Sequence, residues 1–428
     1  MIAIPFVYFS FLAYFFYVRN KRNLDLPVFI FLIYAITGFF AVLIDFFGMR
    51  SPDTQNYTIT FGASFTYCFC ITIVVLPLVF SRNNLSMLSP LNIKDGMLKG
   101  FAWVSFLFAA YYITMSIPDI LKVLSGDMNE MRLDNYRGLG ETLWYGKMTP
   151  IARLPIMLLK FILGVPWIMM FIAFFFWVVQ KMPYKYSVML IIASLIGPVD
   201  GIMGVDRSQV AYWIISLIGI YIFFRPYLNK SQRRRCIKFG FVLIGILSVY
   251  LAALTISRFG DKSGTASVDG SSASLIDYFG QPYINFCFFY DNYSPIIYNP
   301  TTIFPFITQY LIIDGLGTGT EFQAYLSMIS GYNVGVFYTF LGAVYLAMGF
   351  WVLYIYCFFL CLCASSTLRK SNRITTIHRS YMYCMFATIP LLGVFLHYYS
   401  YATNTVSAIF FLIMSSCVTE SNTKKNII

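Results

Sequence analysis

Stretches of about 20 apolar residues recur along this chain, separated by short charged clusters, and this spacing restricts its fold more than any motif does. A bilayer hydrocarbon core about 30 Å thick takes roughly 20 residues of helix to cross. Within it every backbone N–H and C=O must be bonded inside the protein, so repeated stretches of this length predict a helical bundle. Eleven are legible, at 2–18, 27–47, 57–80, 97–117, 151–180, 186–204, 207–224, 237–256, 336–364, 381–396 and 400–418. With 59% of its 428 residues hydrophobic and 11% charged, the chain has too little polar surface for a water-soluble globule. The expected class is all-α, a single polytopic transmembrane domain over residues 1–428 with about eleven helices. The first stretch has neither a basic lead-in nor a small-residue cleavage site, and is expected to be retained.

The formal charge of +12 would suit a nucleic-acid partner, but the cations are sorted by side of the membrane. Arg19/Lys21/Arg22, Arg82/Lys94/Lys99, Lys181/Lys185, the cluster from Arg225 to Lys238, Arg369/Lys370/Arg373/Arg379 and Lys424/Lys425 alternate with balanced or acidic loops. The positive-inside bias puts these segments in the cytoplasm, with the N-terminus outside and the C-terminus inside. The Arg233–Arg235 run then reads as a topogenic and headgroup contact rather than a nucleic-acid site.

Two external segments are long enough to build a site. Residues 118–150 place Ile120, Leu121, Leu124, Met128 and Met131 on one face, the pattern of an interfacial amphipathic helix, and carry Arg132 and Arg137. Residues 257–335, the large external loop, open on a Gly/Ser-rich stretch and continue rich in Tyr, Phe, Pro and Asn. Such rings form either an interfacial belt or a groove for sugar faces. In the fifth stretch, Pro155 and Pro166 with Lys160 between them suggest a broken helix lining a cavity, or a snorkelling lysine.

The chemistry is bounded by what is missing. The two histidines, His378 and His397, form no metal spacing, and no P-loop or dinucleotide fingerprint is present; no metal and no cofactor is expected. Of nine cysteines only Cys287 falls in an external loop, so no external disulfide is expected. The most informative residues are Arg207, which opens the seventh stretch, and Arg258, which closes the eighth at the same side. Spans joined by a short loop are antiparallel neighbours, and two guanidiniums at one depth call for an anion such as a lipid pyrophosphate. Otherwise each snorkels and pairs with Asp206 or Asp261.

These features together resemble the Wzy-type oligosaccharide repeat-unit polymerases, related in architecture to the O-antigen ligases. The resemblance rests on the span count, GVDRSQVAYWIISLIGIYIFF, the arginine of ISRF leading into a large loop, YFGQPYINF, and GYNVGVFYTFLGAVYLAMGF. It covers the C-terminal half well and the N-terminal half by hydropathy alone. It implies a GT-C-like helical fold in a bacterial inner membrane, the N-terminus periplasmic. It also implies metal-independent transfer of a growing glycan from undecaprenyl pyrophosphate to a lipid-linked repeat unit, with a chain-length regulator as a possible partner. Arg207 and Arg258 would then stabilise the leaving pyrophosphate, joined by Arg132 and Arg137. The base for the acceptor hydroxyl would be Asp277, Asp291, Glu321 or His397. The ligases use a histidine in their large external loop, and residues 257–335 contain none, which favours a polymerase. A flippase of lipid-linked oligosaccharides is the alternative of another class; it calls for polar residues at mid-membrane depth and short loops.

Overall fold

The computed structural model describes residues 1–81, 90–125, 143–206, 208–259, 270–294, 327–332, 334, 337–368, 376–400 and 402–418, with backbone alone for 251–259, 270–275, 400 and 402. A helix lies in each of the eleven predicted stretches. In order they are α1 (Ile4–Arg19), α2 (Leu26–Phe46), α3 (Phe61–Ser81), α4 (Asp95–Ser125), α5 (Pro150–Leu163), α6 (Pro166–Val178), α7 (Tyr184–Ala193), α8 (Ile196–Met203), α9 (Ser208–Phe224), α10 (Lys230–Phe259), α11 (Gly270–Asn292), α12 (Thr339–Leu368), α13 (Ile377–Leu392) and α14 (Ala402–Cys417). Among the described residues six helical segments are long and apolar enough to cross a membrane, and seven if the pair α5–α6, bent by 65°, is one span. The outward faces carry Phe11, Phe65 and Trp351, and also Leu107, Leu154 and Phe241, all exposed. Apolar surface on this scale belongs against lipid, and the chain is an all-helical membrane protein.

The chain forms two compact units. The first takes residues 1–84, 259–373 and 382–405. Asp25 starts α2 by accepting from the Val28 N–H at 3.1 Å, with Pro27 in the first turn, where its missing N–H costs nothing. α2 packs on α1 through stacked aromatics, Phe9 against Phe31 at 6.1 Å and Phe31 against Phe16 at 5.8 Å.

Helix α11 lies inside the sequence segment read as an external loop, yet it is interior to this unit, packed on α2, α3 and α12. Tyr283, Phe286 and Cys287 are fully buried. Gly280 allows this approach: a Cβ there would sit 2.7 Å from the Ala41 nitrogen of α2. A helix walled by other helices needs no apolar surface toward lipid. That is why its Gln, Asn and Asp residues, and the Gly/Ser run before them, hide it from a hydropathy reading.

The second unit takes residues 85–258, 374–381 and 406–428. α4 packs against α7 and α8, and α6 against α7 and α9. The Trp213 indole N–H of α9 donates to Ser194 Oγ at 2.8 Å, in the break between α7 and α8. The predicted span at 97–117 and the first residues of the predicted interfacial helix are one element, since α4 runs on unbroken to Ser125 through Pro118.

Candidate functional site

The second unit gathers its polar chemistry at the bend between α5 and α6. Gly164 ends α5, its N–H donating to the Lys160 carbonyl at 2.7 Å, and Pro166, which has no N–H to continue the ladder, opens α6. α8 sits close against this bend. A Cβ on Gly197 would stand 2.9 Å from the Gly164 carbonyl oxygen, so only glycine allows that separation.

On α4, Tyr112, Ser116 and Asp119 recur at helical spacing along one face. Ser116 Oγ accepts from the Trp144 indole N–H at 3.0 Å, and Asp119 from the Trp144 backbone N–H at 3.0 Å. The turn Trp144–Lys147 is thereby held on α4, which brings Tyr145 to α5. Lys160 of α5 donates to the Tyr145 hydroxyl at 3.2 Å, with its ammonium 4.6 Å from the ring centre. It forms an ion pair with Asp200 of α8, and the Tyr112 hydroxyl donates to the other Asp200 oxygen. Both ion-pair side chains are about four-fifths buried, at 19% and 20% exposure. Arg153, seven residues before Lys160 and on the same face of α5, lies on the Tyr145 ring at 6.0 Å. The arrangement is a lysine and a carboxylate neutralising one another beneath a tyrosine, with a second, exposed cation beside it. Burial raises the Tyr145 phenol above its ordinary pKa, so it remains a neutral hydroxyl able to donate or accept.

The short α8 leads directly into the turn before position 207. Gly204 N–H bonds the Asp200 carbonyl at 2.9 Å and Asp206 N–H the Gly201 carbonyl at 2.7 Å. Val205 between them is held at φ +54°, which is costly for a β-branched side chain. It is 2% exposed, packed with Val123 of α4 and Tyr250 of α10. Asp206 accepts from the Ser208 N–H at 2.8 Å and the Ser208 hydroxyl at 2.7 Å, capping α9. The start of α9 is thus fixed firmly, at a cost of about 1–3 kcal/mol of backbone strain.

Arg207, Arg132, Arg137 and Glu321 lie outside the described residues, as does the Arg258 side chain. The Arg258 backbone is helical in α10, eight residues beyond Tyr250, or about 12 Å along the axis. Among the described residues no three His, Cys, Asp or Glu side chains are placed to share a metal ion.

The remaining candidates fall in the first unit. Asp291, near the end of α11, accepts from the Tyr57 hydroxyl at one oxygen and from Thr60 Oγ1 at 2.9 Å at the other. Tyr57 in turn is held through its carbonyl by Arg50, which pairs with Asp45 at 2.7 Å. Asp45 lies in the last turn of α2, with its partner five residues on. Asp277 accepts from Gln281 of its own helix at 2.6 Å. Asp291 is therefore engaged in tying the segment before α3 to α11. Asp291→Asn is expected to keep the tie and the wild-type melting temperature, and Asp291→Ala to cost about 1–2 kcal/mol of stability. Thermal unfolding in detergent checks this, and an Asp291→Ala protein as stable as the wild type overturns it.

His397 follows α13, 3% exposed, with Nε2 2.8 Å from the Tyr356 hydroxyl. Burial lowers its pKa to about 4, against about 6.5 in an unfolded chain. The folded state thus holds it neutral, and its contribution is complete above pH 6.5 and is lost as pH falls from 6.5 toward 4. Melting temperature should fall over that window more steeply than in His397→Gln. Parallel pH profiles for the two proteins would show that His397 is not the group responsible.

Asp200, Tyr112 and Tyr145 were not among the residues predicted from sequence. The signal was present in LIGPVDGIM, where an acid stands in an otherwise apolar stretch. Comparison with known proteins adds nothing to these contacts: no family model, no curated protein and no solved structure matches the chain.

Proposed function

We propose that this chain is a membrane-embedded glycosyltransferase that polymerises lipid-linked oligosaccharide repeat units. It transfers a growing glycan from undecaprenyl pyrophosphate to a new lipid-linked unit at the outer face of a bacterial inner membrane. In this reading the chain has eleven spans and a GT-C-like architecture. The observation that carries it is the corner between α8 and α9. A strained and buried turn at Val205, five residues after Asp200 of the Lys160–Asp200 pair, leads into α9, and the backbone at position 258 is in the last turn of another helix of the same unit. Strain of this kind is held where a position must be defined. Arginines at 207 and 258 would neutralise the pyrophosphate as it leaves, and leaving-group charge is greatest in the transition state.

A flippase is the second reading, favoured by one observation: an ion pair beside a broken helix is how transporters place a coupling group in the membrane. One experiment separates them. Purified protein in liposomes receives a lipid pyrophosphate-linked repeat unit without nucleotide or added metal. Glycan extension by whole repeats is the expected result; movement of the lipid between leaflets with no new glycosidic bond gives the flippase instead.

A further inference from the structure

The transfer proposed above needs a group to take the proton of the acceptor hydroxyl, and the acids placed so far are occupied. Asp277 and Asp291 are engaged in the first unit, and His397 is buried against Tyr356. In the second unit Asp200 is neutralised by Lys160, both oxygens of Asp206 cap α9, and Asp95 stands at the opposite end of α4.

Asp119, half-buried in the last two turns of α4, differs from these. One of its oxygens accepts from the Trp144 backbone N–H at 3.0 Å; the other has no hydrogen-bond or ion-pair partner among the described residues. The first bond holds the carboxylate while the second oxygen stays a free acceptor. Trp144 is itself half-buried, and Tyr111, 45% exposed, meets it edge-on with ring centres 6.0 Å apart. A carboxylate beside partly exposed rings suits a sugar, whose C–H faces pack on aromatic rings while its hydroxyls bond the acid.

One face of α4 sets where this acid stands. Tyr112, Ser116, Asp119 and Val123 follow one another at helical spacing. Tyr112 donates to Asp200 of α8, and Val123 packs with Val205, at the corner leading into α9, and with Tyr250 of α10. Asp119 is one turn, about 6 Å along the axis, from Val123. Arg207 follows Val205 by two residues in sequence, and α10 carries Arg258. The carboxylate is thus a turn away from the point where α4 meets both elements tied to the proposed pyrophosphate clamp.

We propose that Asp119 is the general base of the transfer, a role that rests on the glycosyltransferase reading. The acceptor hydroxyl oxygen bonds the anomeric carbon of the growing glycan as that carbon's bond to the pyrophosphate oxygen breaks. The bonding pair leaves with the pyrophosphate, and the hydroxyl proton passes to the free oxygen of Asp119, which gives it up to water before the next cycle. Base and arginines then act at the two ends of one displacement.

The test measures rates of glycan extension against acceptor concentration for the full chain in liposomes, with melting temperature alongside. Asp119→Asn keeps an oxygen for the Trp144 N–H and removes the base. Expected is kcat lowered about 10²–10⁴-fold, with acceptor KM within about threefold and melting temperature unchanged. Ser116→Ala removes the neighbouring bond to the Trp144 indole and leaves the carboxylate in place, so it should keep kcat near that of the wild type. Wild-type kcat in Asp119→Asn overturns the base. So does an equal loss in Ser116→Ala, or an Asp119→Asn protein that melts early or fails to fold, since each makes the acid a strut for the Trp144 turn. Wild-type protein that extends no glycan overturns the glycosyltransferase reading itself, whereas an active wild type with an unaffected Asp119→Asn overturns the base alone.

Discussion

Arg207→Ala and Arg258→Ala are each expected to leave the protein in the membrane at its usual level while surface glycan stops at a single repeat unit. Removing one preorganised cation from a developing oxyanion typically lowers turnover by about 10²–10³-fold. Polymerisation multiplies the deficit, because every added repeat needs another transfer. Lysine at either position should restore only part of the activity, since an ammonium cannot grip two phosphate oxygens as a guanidinium fork does. A gel ladder of the glycan beside an immunoblot of the membrane fraction reads both quantities. Long ladders in both alanine variants would remove the pyrophosphate clamp. Single-repeat glycan with no protein in the membrane would be a folding effect, leaving the same question to the lysine variants.

Hydropathy made the all-helical membrane fold legible, because a lipid-facing span has no alternative to a long apolar run. The same reasoning explains what stayed hidden. α11 is shielded by α2, α3 and α12, and a shielded helix is free to carry Gln281 and Asn285. Asn285 uses that freedom, its side-chain amide donating to the Phe337 carbonyl at 2.9 Å. Asp45 and Asp200 show the limit for charges. Both are single acids in apolar stretches, yet one sits at a helix end beside Arg50 and the other pairs with a lysine 40 residues away in sequence. Partners that distant leave no local pattern. The bend that brings Lys160 to Asp200 was foreshadowed by Pro155 and Pro166, but the break falls at Gly164 and Val165, and Pro155 is accommodated inside α5. No pattern marks Val205 as strained either, since the strain arises from the contacts that bury it.

The Lys160–Asp200 pair carries the second large effect, and its sign depends on how it is perturbed. Taking one member away leaves the other charge four-fifths buried without a counterion, a loss of about 3–5 kcal/mol. Asp200→Ala is expected to be the worse of the two single changes, since it also strands the Tyr112 hydroxyl. Lys160→Met leaves Asp200 with that hydroxyl still donating. Removing both charges together, Lys160→Met with Asp200→Leu, should recover most of the stability, because two apolar side chains of similar volume remove the desolvation cost along with the attraction. Melting temperatures in detergent for the four proteins complete the cycle, and a double variant no more stable than Asp200→Ala would show that packing around the bend dominates. Activity in the double variant then assigns the pair. Wild-type glycan length with a neutral pair makes it scaffolding that holds α5 against α8 and so fixes the corner before position 207. Stable protein that no longer extends glycan, or that loses lipid translocation driven by a proton gradient, places the charges themselves in the working cycle.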